Sequence, residues 1–507
     1  MSGAAEDRRE RGAPPSYEDI VVATRAALAA DTEAWLVGGC VRDEFLGRAV
    51  KDVDLVVSRD GENLARALAD RLGGGVYSSS GTFGTWRVVA SGKHVDIAPL
   101  EPHADADSRS PASGSALTIE RRLSANLQAR DFTINAVARN LRDGELVDPM
   151  NGAEDLRRRR LRLCTPGACK SDPLRVLRLA RLARDLDFAV APEALAAARR
   201  AAALLATVSG ERVRDELSAM LTMRANAAAL RDLASWGALA VLLPELDALR
   251  GVEQNRYHHL DVFEHSLEAL TYVRDVVDQF DGQSHLCSPA ALGMPDVDEL
   301  VPISWAVVLH DIGKPAARTV LDDGRVVFWH HDRIGGDMAT VLARRLRMSA
   351  RFGDYLATLI REHLRLGFLV REQPLSRRAL ARYRRNVTPW VFDSVVLSLC
   401  DRLATRGEQT SRTAIARHYR LARMLWTSVT KTPLPRLLSG EEVMALLGLS
   451  PGPDVGAAMA ALEEEVDVGD VTTPEAARVF LLAWWCERRV NEGGEDAPVR
   501  RDDAGAS

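Results

Sequence analysis

The strongest β-strand patterns in this 507-residue chain all fall before residue 100, and helical periodicity fills nearly everything after about residue 118. The runs "AWLV", "DVDLVV", "WRVV" and "HVDIAPL" are short and apolar, with the amphipathic "NLARALADRL" among them. That alternation predicts a small α/β domain, and the Ala-, Leu- and Arg-rich remainder predicts an all-α body. The chain is too long for one hydrophobic core, so several domains are expected. A Gly/Pro/Asp-rich break near 281–299 and "TKTPLP" at 430–435 are punctuation within the helical part. The polar stretch "EPHADADSRSPASGSA", 101–116, reads as a mobile loop. The resulting division is a disordered tail (1–16), a head (17–150), a helical region (151–250), a second helical domain (251–430), a helical C-terminal region (431–490) and a disordered tail (491–507).

A net charge of -5 excludes a wholesale polycation, so any contact with nucleic acid must come from local basic patches. Cys40, Cys164, Cys169, Cys287, Cys400 and Cys486 are scattered without a C-x-x-C pair, as in a reduced, cytoplasmic protein. The N-terminus lacks the apolar segment of a signal peptide, and no apolar run has the length of a membrane span.

Chemistry concentrates in "GGCVRDEFLGRAVKDVDLVV", Gly38 to Val57. Two glycines after an apolar run let backbone amides approach a phosphate closely. The following "VRDEFLG" would open a helix whose N-terminus favours an anion. Side chains alternate along a strand, so Asp52 and Asp54 share one face and repel unless a cation lies between them. Asp96 in "VDI" offers a third carboxylate from another strand. Carboxylates converging from neighbouring strands can hold divalent ions for phosphoryl transfer.

Taken together, Gly-Gly, D-x-D and the later apolar-Asp-apolar strand resemble the DNA polymerase β-like nucleotidyltransferases. The blocks "ARDFTINAVA", "DPMNGAEDL", "SDPLRVLRLARLA" and "ERVRDEL" follow in the order seen in class II tRNA nucleotidyltransferases, the CCA-adding enzymes, and in the related bacterial poly(A) polymerases. The resemblance spans roughly residues 30–250. It implies a polymerase β-like head with helical neck and body. It also implies template-independent addition of C and/or A, from CTP and ATP, to the 3′ end of tRNA by two-metal chemistry with Mg²⁺. Asp52 and Asp54 then correspond to the metal-binding catalytic carboxylates, joined by Asp96. Gly38, Gly39, Arg42 and Arg130 correspond to nucleotide contacts. Asp172 and Arg175 correspond to the pair that reads the incoming base, one offering acceptors and the other forked donors. Arg178 and Arg181 follow along the same helix toward the triphosphate. Ser171, Asn126 and Ala129 depart from the family's usual residues, and an arginine common after the third strand is missing from "APLEPHAD". Which nucleotides are added, and the oligomeric state, stay open. A poly(A) polymerase is the nearest alternative.

Residues 157–184 carry ten Lys/Arg against one Asp, a backbone grip suited to RNA. A smaller cluster comprises Arg377, Arg378, Arg382, Arg384 and Arg385. Farther on, His265, the doublet His310-Asp311 in "LHDIGKP", and Asp401 follow the order H…HD…D, with His331 and His363 between. This resembles the HD-superfamily phosphohydrolases. It implies a divalent transition metal bound by these six residues, possible phosphohydrolase activity, and a second alternative, an RNA-binding HD phosphohydrolase.

Overall fold

The computed structural model describes residues 15–78, 84–100, 116–254, 258–280, 285–371, 376–407, 411–429 and 436–492. All but Ala116 of the expected loop 101–116, the segment 430–435 and all but the inner ends of both tails lie outside these residues. Two compact units form, Met1–Pro244 and Glu245–Ser507. The sequence division at 250/251 falls slightly later; Glu245 already belongs to the second unit, where Arg345 reaches both its carboxylate oxygens at 2.7 Å.

In the first unit, β1 (Ala34–Val37), β2 (Val53–Val57), β3 (Gly75–Ser78), β4 (Trp86–Ala90), β5 (Lys93–Pro99), β6 (Ala138–Asn140) and β7 (Leu146–Val147) make one mixed sheet. Its order is β3-β4-β5-β2-β1-β6-β7. Only β2 and β5 are parallel neighbours; the other adjacent pairs are antiparallel. The head helices are α1 (Tyr17–Ala27), α2 (Gly39–Phe45), α3 (Gly61–Leu72) and α4 (Ala116–Gln128). Leu36, Val53, Leu55, Val95 and Ile97 turn to one face and pack with Ile20 of α1 and Leu64 and Leu68 of α3. Trp35, Val37 and Val56 turn to the other, against Leu123 and Leu127 of α4. Period-two alternation therefore places Asp54 and Asp52 in line with Val56 on the α4 face.

Helix is not continuous after 118, contrary to the periodicity. Ala138–Asn140 has poor β-propensity, yet it adds a strand beside β1 because Ala136 and Ala138 are small enough to seat under α4.

After the sheet come α5 (Gly152–Arg157), α6 (Ala168–Ser171), α7 (Arg175–Asp185), α8 (Pro192–Ala201), α9 (Gly210–Leu221) and α10 (Asn226–Ser235). Asp155 ties this region to the head. Its fully buried carboxylate accepts from Arg160 and Arg162, each at 2.7 Å, and from the Thr133 hydroxyl at 2.7 Å. Asp155→Ala should cost about 3 kcal/mol, the lower end for breaking a buried pair, because Arg160 keeps partial contact with water. Urea denaturation should show the loss as a lower midpoint with an unchanged slope.

The second unit is built of helices. Val301–Leu309 is buried along its entire length and ends directly at His310 and Asp311. A hairpin of Arg318–Val320 with Val326–Phe328 precedes the helix His331–Arg345. The last three helices, Gly440–Leu447, Pro453–Val468 and Pro474–Glu492, enclose their own core around Val443, Ala458, Leu462 and Leu481. The smaller arginine cluster faces this core's helix: Arg378 pairs with Glu465, and Arg382 and Arg385 pair with Glu464. Those three arginines fasten one helix to another. No described helix is long and apolar enough to cross a membrane.

Candidate active sites

At the end of β1 the chain turns at Gly38 with φ +78°, a conformation that favours glycine. A Cβ there would lie 2.9 Å from the Arg130 guanidinium and 3.3 Å from the Asp54 carboxylate. The missing side chain thus leaves access to both groups. Asp54 pairs in register with Asp96 across the parallel strands β2 and β5. Burial raises the Asp54 carboxyl above its usual range, and Asp96 and Asp52 add to that, opposed by Arg130. Asp96 is itself gripped by Arg87 on β4 at 2.7 and 2.8 Å. Arg130 is half-buried, its Nε is shielded from water without a hydrogen-bond partner, and that desolvation pushes its guanidinium down. Arg42 lies on α2, paired twice with Asp43 and donating to Asn135 at 3.0 Å.

Asp172 and Arg175 stand at the start of α7, joined through a backbone hydrogen bond of 3.1 Å from the Arg175 amide to the Asp172 carbonyl, but their side chains do not pair. Asp172 Oδ2 accepts from Arg212 at 2.8 Å, while Arg175 donates to the Ala129 carbonyl at 2.8 Å. Arg178 is shared between Asp131 and Glu216, and Arg181 also closes on Glu216 at 2.7 Å. Arg212, Asp131 and Glu216 are the residues that sequence reasoning missed. All three lie within or beside the quoted blocks, but no spacing rule links them to α7.

In the second unit, His265, His310 and Asp401 place ligand atoms within 4.8 Å of one another, and so do Asp311, His331 and His363. Asp311 stands between the groups: Oδ2 lies 3.1 Å from His310 Nε2, and Oδ1 lies 3.4 Å from His331 Nε2 and 3.8 Å from His363 Nε2. All six sequence-expected residues are therefore brought together. The Nδ1–H groups of His310 and His331 donate to the Val307 and Phe328 carbonyls, which turns each Nε2 inward. These two Nε2 atoms and Asp311 Oδ1 are buried without a hydrogen-bond partner, an arrangement costly unless something occupies the centre. Burial, reinforced by His310 and His331, pushes His363 down to about 4, so it is a neutral imidazole at physiological pH. Lys314 Nζ bonds Asp311 Oδ2 at 2.6 Å and Gln254 at 2.7 Å. His258 packs edge-on against His265 with ring centroids 4.9 Å apart; it too was missed by sequence.

Residues 34–162 match the Poly A polymerase head domain, and residues 187–250 match the probable RNA and SrmB-binding site of polymerase A. Over 462 residues the chain is 37% identical to an A-adding tRNA nucleotidyltransferase of Deinococcus radiodurans, covering 89% of this chain and 95% of that protein. The chain belongs to the tRNA nucleotidyltransferase family. A CC-adding tRNA nucleotidyltransferase of Thermus thermophilus is 34% identical over 475 residues, covering 91% of this chain and 96% of the other. The fold is that of the Bacillus stearothermophilus CCA-adding enzyme solved with CTP, with a TM-score of 0.61 at 22% identity over 95% of this chain and all of that one.

For this tRNA nucleotidyltransferase, the basic window 157–184 needs correction. Arg157 and Arg158 pair with Glu154, Arg159 with Asp187, and Arg160 and Arg162 with Asp155. Arg178 and Arg181 pair with Glu216 and Arg184 with Asp232. Most of the apparent excess is neutralised by carboxylates lying outside the window. The exposed pairs are individually weak and can exchange for phosphate, whereas those on the buried Asp155 and Glu216 are structural.

Proposed function

We propose that this enzyme transfers nucleotidyl groups from CTP and/or ATP to the 3′ hydroxyl of tRNA without a nucleic-acid template. One observation carries the reading: Asp54 and Asp96 stand in register on adjacent strands, with Asp52 on the same face, behind the opening left by Gly38. An all-oxygen set with mutually repelling carboxylates fits Mg²⁺ held by Asp52 and Asp54. When bound, Mg²⁺ lowers the pKa of the attacking hydroxyl and offsets charge on the leaving pyrophosphate. Arg87 restrains Asp96, which acts as a charged neighbour that orients Asp54. Arg130 and Arg42 face the triphosphate. The 3′ hydroxyl gives up its proton to water and its oxygen bonds the α-phosphorus as the bridging P–O bond breaks and pyrophosphate departs. Incubating tRNA lacking its 3′ end, tRNA ending in CC, and an unrelated RNA with each NTP tests the assignment by product length. Long adenosine tails on the unrelated RNA would replace it with poly(A) polymerase activity.

Base choice falls to Asp172 and Arg175. Their present partners are an exposed arginine and a carbonyl, both readily exchanged for a base edge. Arg175→Ala should therefore weaken discrimination between CTP or ATP and the other NTPs by about 1–3 kcal/mol, read as the ratio of kcat/KM values. An unchanged ratio would remove Arg175 from base reading.

A second activity rests on the paired histidine–aspartate groups. Mixed imidazole and carboxylate donors, with buried nitrogens left unpartnered, suit one or two divalent transition metals held by His265, His310, Asp311, His331, His363 and Asp401. Such ions supply Lewis acidity for attack by water on a phosphoester. Hydrolysis there replaces a P–O ester bond by P–OH, water providing the oxygen and the leaving alkoxide gaining the proton. Lys314 steadies Asp311 and places one further positive charge at the floor.

A further inference from the structure

Asp54 belongs to a row of side chains that crosses the head's sheet. Its register partner on β5 is Asp96, whose partner on β4 is Arg87, whose partner on the edge strand β3 is Tyr77. All four turn to the α4 face, because Leu55, Val76, Val88 and Val95 pack on the opposite one. Among the described residues, the apolar cluster under α4 takes strand side chains from β1, β2, β6 and β7, and none from β3, β4 or β5. The described residues therefore leave the β3 end of this face open. Tyr77 is 61% exposed there. Its ring leans along its own strand, where a Cβ on Gly75 would lie 3.5 Å from both Cε2 and Oη. Bare glycine backbone supports one side of the ring and the other side meets water. Arg87 closes on Asp96, yet its side chain is 53% exposed and sets a positive charge beside the phenol.

Gly38 and Arg130 bound the carboxylates on the β1 side, where the triphosphate is held. Attacking and leaving oxygens stand roughly in line in phosphoryl transfer, so the 3′ hydroxyl approaches from the β5 side. The strand that carries it then runs toward β4 and β3. Three strand spacings place Tyr77 about 14 Å from Asp54, beyond the reacting nucleotide. A supported aromatic ring beside a guanidinium suits single-stranded RNA, since the ring stacks any base and the cation attracts the backbone. We propose that Tyr77 stacks a base of the acceptor RNA's single-stranded 3′ segment, just upstream of the end that is extended, with Arg87 facing the adjoining phosphate. The inference rests on the nucleotidyl-transfer reading and gives that same site its hold on the acceptor strand.

The test uses the full-length chain with Mg²⁺ and whichever tRNA the parent extends, one lacking its 3′ end or one ending in CC. Tyr77→Ala should lower kcat/KM for the tRNA about five- to a hundredfold, through the KM for tRNA and not the KM for the nucleotide. Tyr77→Phe, which keeps a ring over Gly75, should match the parent. Substrates made abasic at each of the three terminal positions locate the contact. One of them should be extended poorly by the parent and cost nothing further in Tyr77→Ala, because two changes to one contact do not add. Additive losses at all three positions overturn the stacking proposal, and so does a fall in Tm with equal rises in both KM values. If the parent extends no RNA, the nucleotidyl-transfer reading fails separately. Binding of tRNAs carrying 2-aminopurine at the same positions then decides the platform: fluorescence quenched by the parent but not by Tyr77→Ala supports it, and equal quenching, or none, rejects it.

Discussion

Asp54→Asn should abolish nucleotide addition while leaving the metal-free protein as stable as the parent, or more so, at neutral pH. The catalytic half follows from position: Asp54 is the carboxylate nearest the Gly38 opening and the in-register neighbour of Asp96. Losing a preorganised electrostatic group of this kind costs roughly 10²–10³ in rate, and losing an ion with it costs more. The stability half follows from charge. Burial, then Asp96 and Asp52, raise the folded-state pKa of Asp54 above its unfolded value. The folded chain therefore holds this proton more tightly, and the group's contribution is greatest at low pH and is lost as pH rises through the raised pKa. At neutral pH the ionised side chain is a burden that asparagine removes. Thermal melting should show Mg²⁺ raising the Tm of the parent but not of Asp54→Asn. Retained addition in the variant would dismiss the metal assignment, and a large fall in Tm without Mg²⁺ would dismiss the charge argument.

Local periodicity made the head legible. Asp52, Asp54 and Val56 share a face because strands alternate, and Gly38 is required by a turn that only the joining of β1 to α2 explains. The H…HD…D order was legible from residue types along helical segments, and the buried helix Val301–Leu309 ends where it delivers His310 and Asp311. What sequence could not show is pairing at a distance. Counting charges in 157–184 gave a patch, but Glu216 meets Arg178 and Arg181 only after α9 packs on α7. Asp172 and Arg175 are three residues apart in sequence, but that spacing does not show that Arg212 from α9 holds the one and the Ala129 carbonyl holds the other. The hairpin at Arg318–Phe328 was a missed signal rather than an absent one, because Asp-Gly between "TVL" and "RVVF" is a turn sequence.

Asp311→Ala should eliminate transition-metal binding and any phosphoester hydrolysis in the second unit, and it should do so more completely than loss of any single histidine. Each histidine contacts one group of ligands, whereas Asp311 faces both: Oδ2 toward His310 and His265, and Oδ1 toward His331 and His363. Although burial opposes ionisation, His310 and Lys314 hold its carboxyl well below the usual carboxylate range, so it is ready to ligate at any physiological pH. Removing it also strands the buried Lys314 ammonium, at a cost of about 3–5 kcal/mol in folding stability. Misfolding must therefore be separated from loss of a ligand. His363→Gln serves that purpose, because it keeps Lys314 paired and removes one imidazole from the second group only. Metal content measured with Ni²⁺, an ion suited to imidazole ligands rather than to the all-oxygen Asp52–Asp54 pair, should fall nearly to none in Asp311→Ala and only in part in His363→Gln. Both variants should still extend tRNA, since Asp52 and Asp54 belong to the other unit. Full metal content in Asp311→Ala would show that the six residues do not form a metal centre.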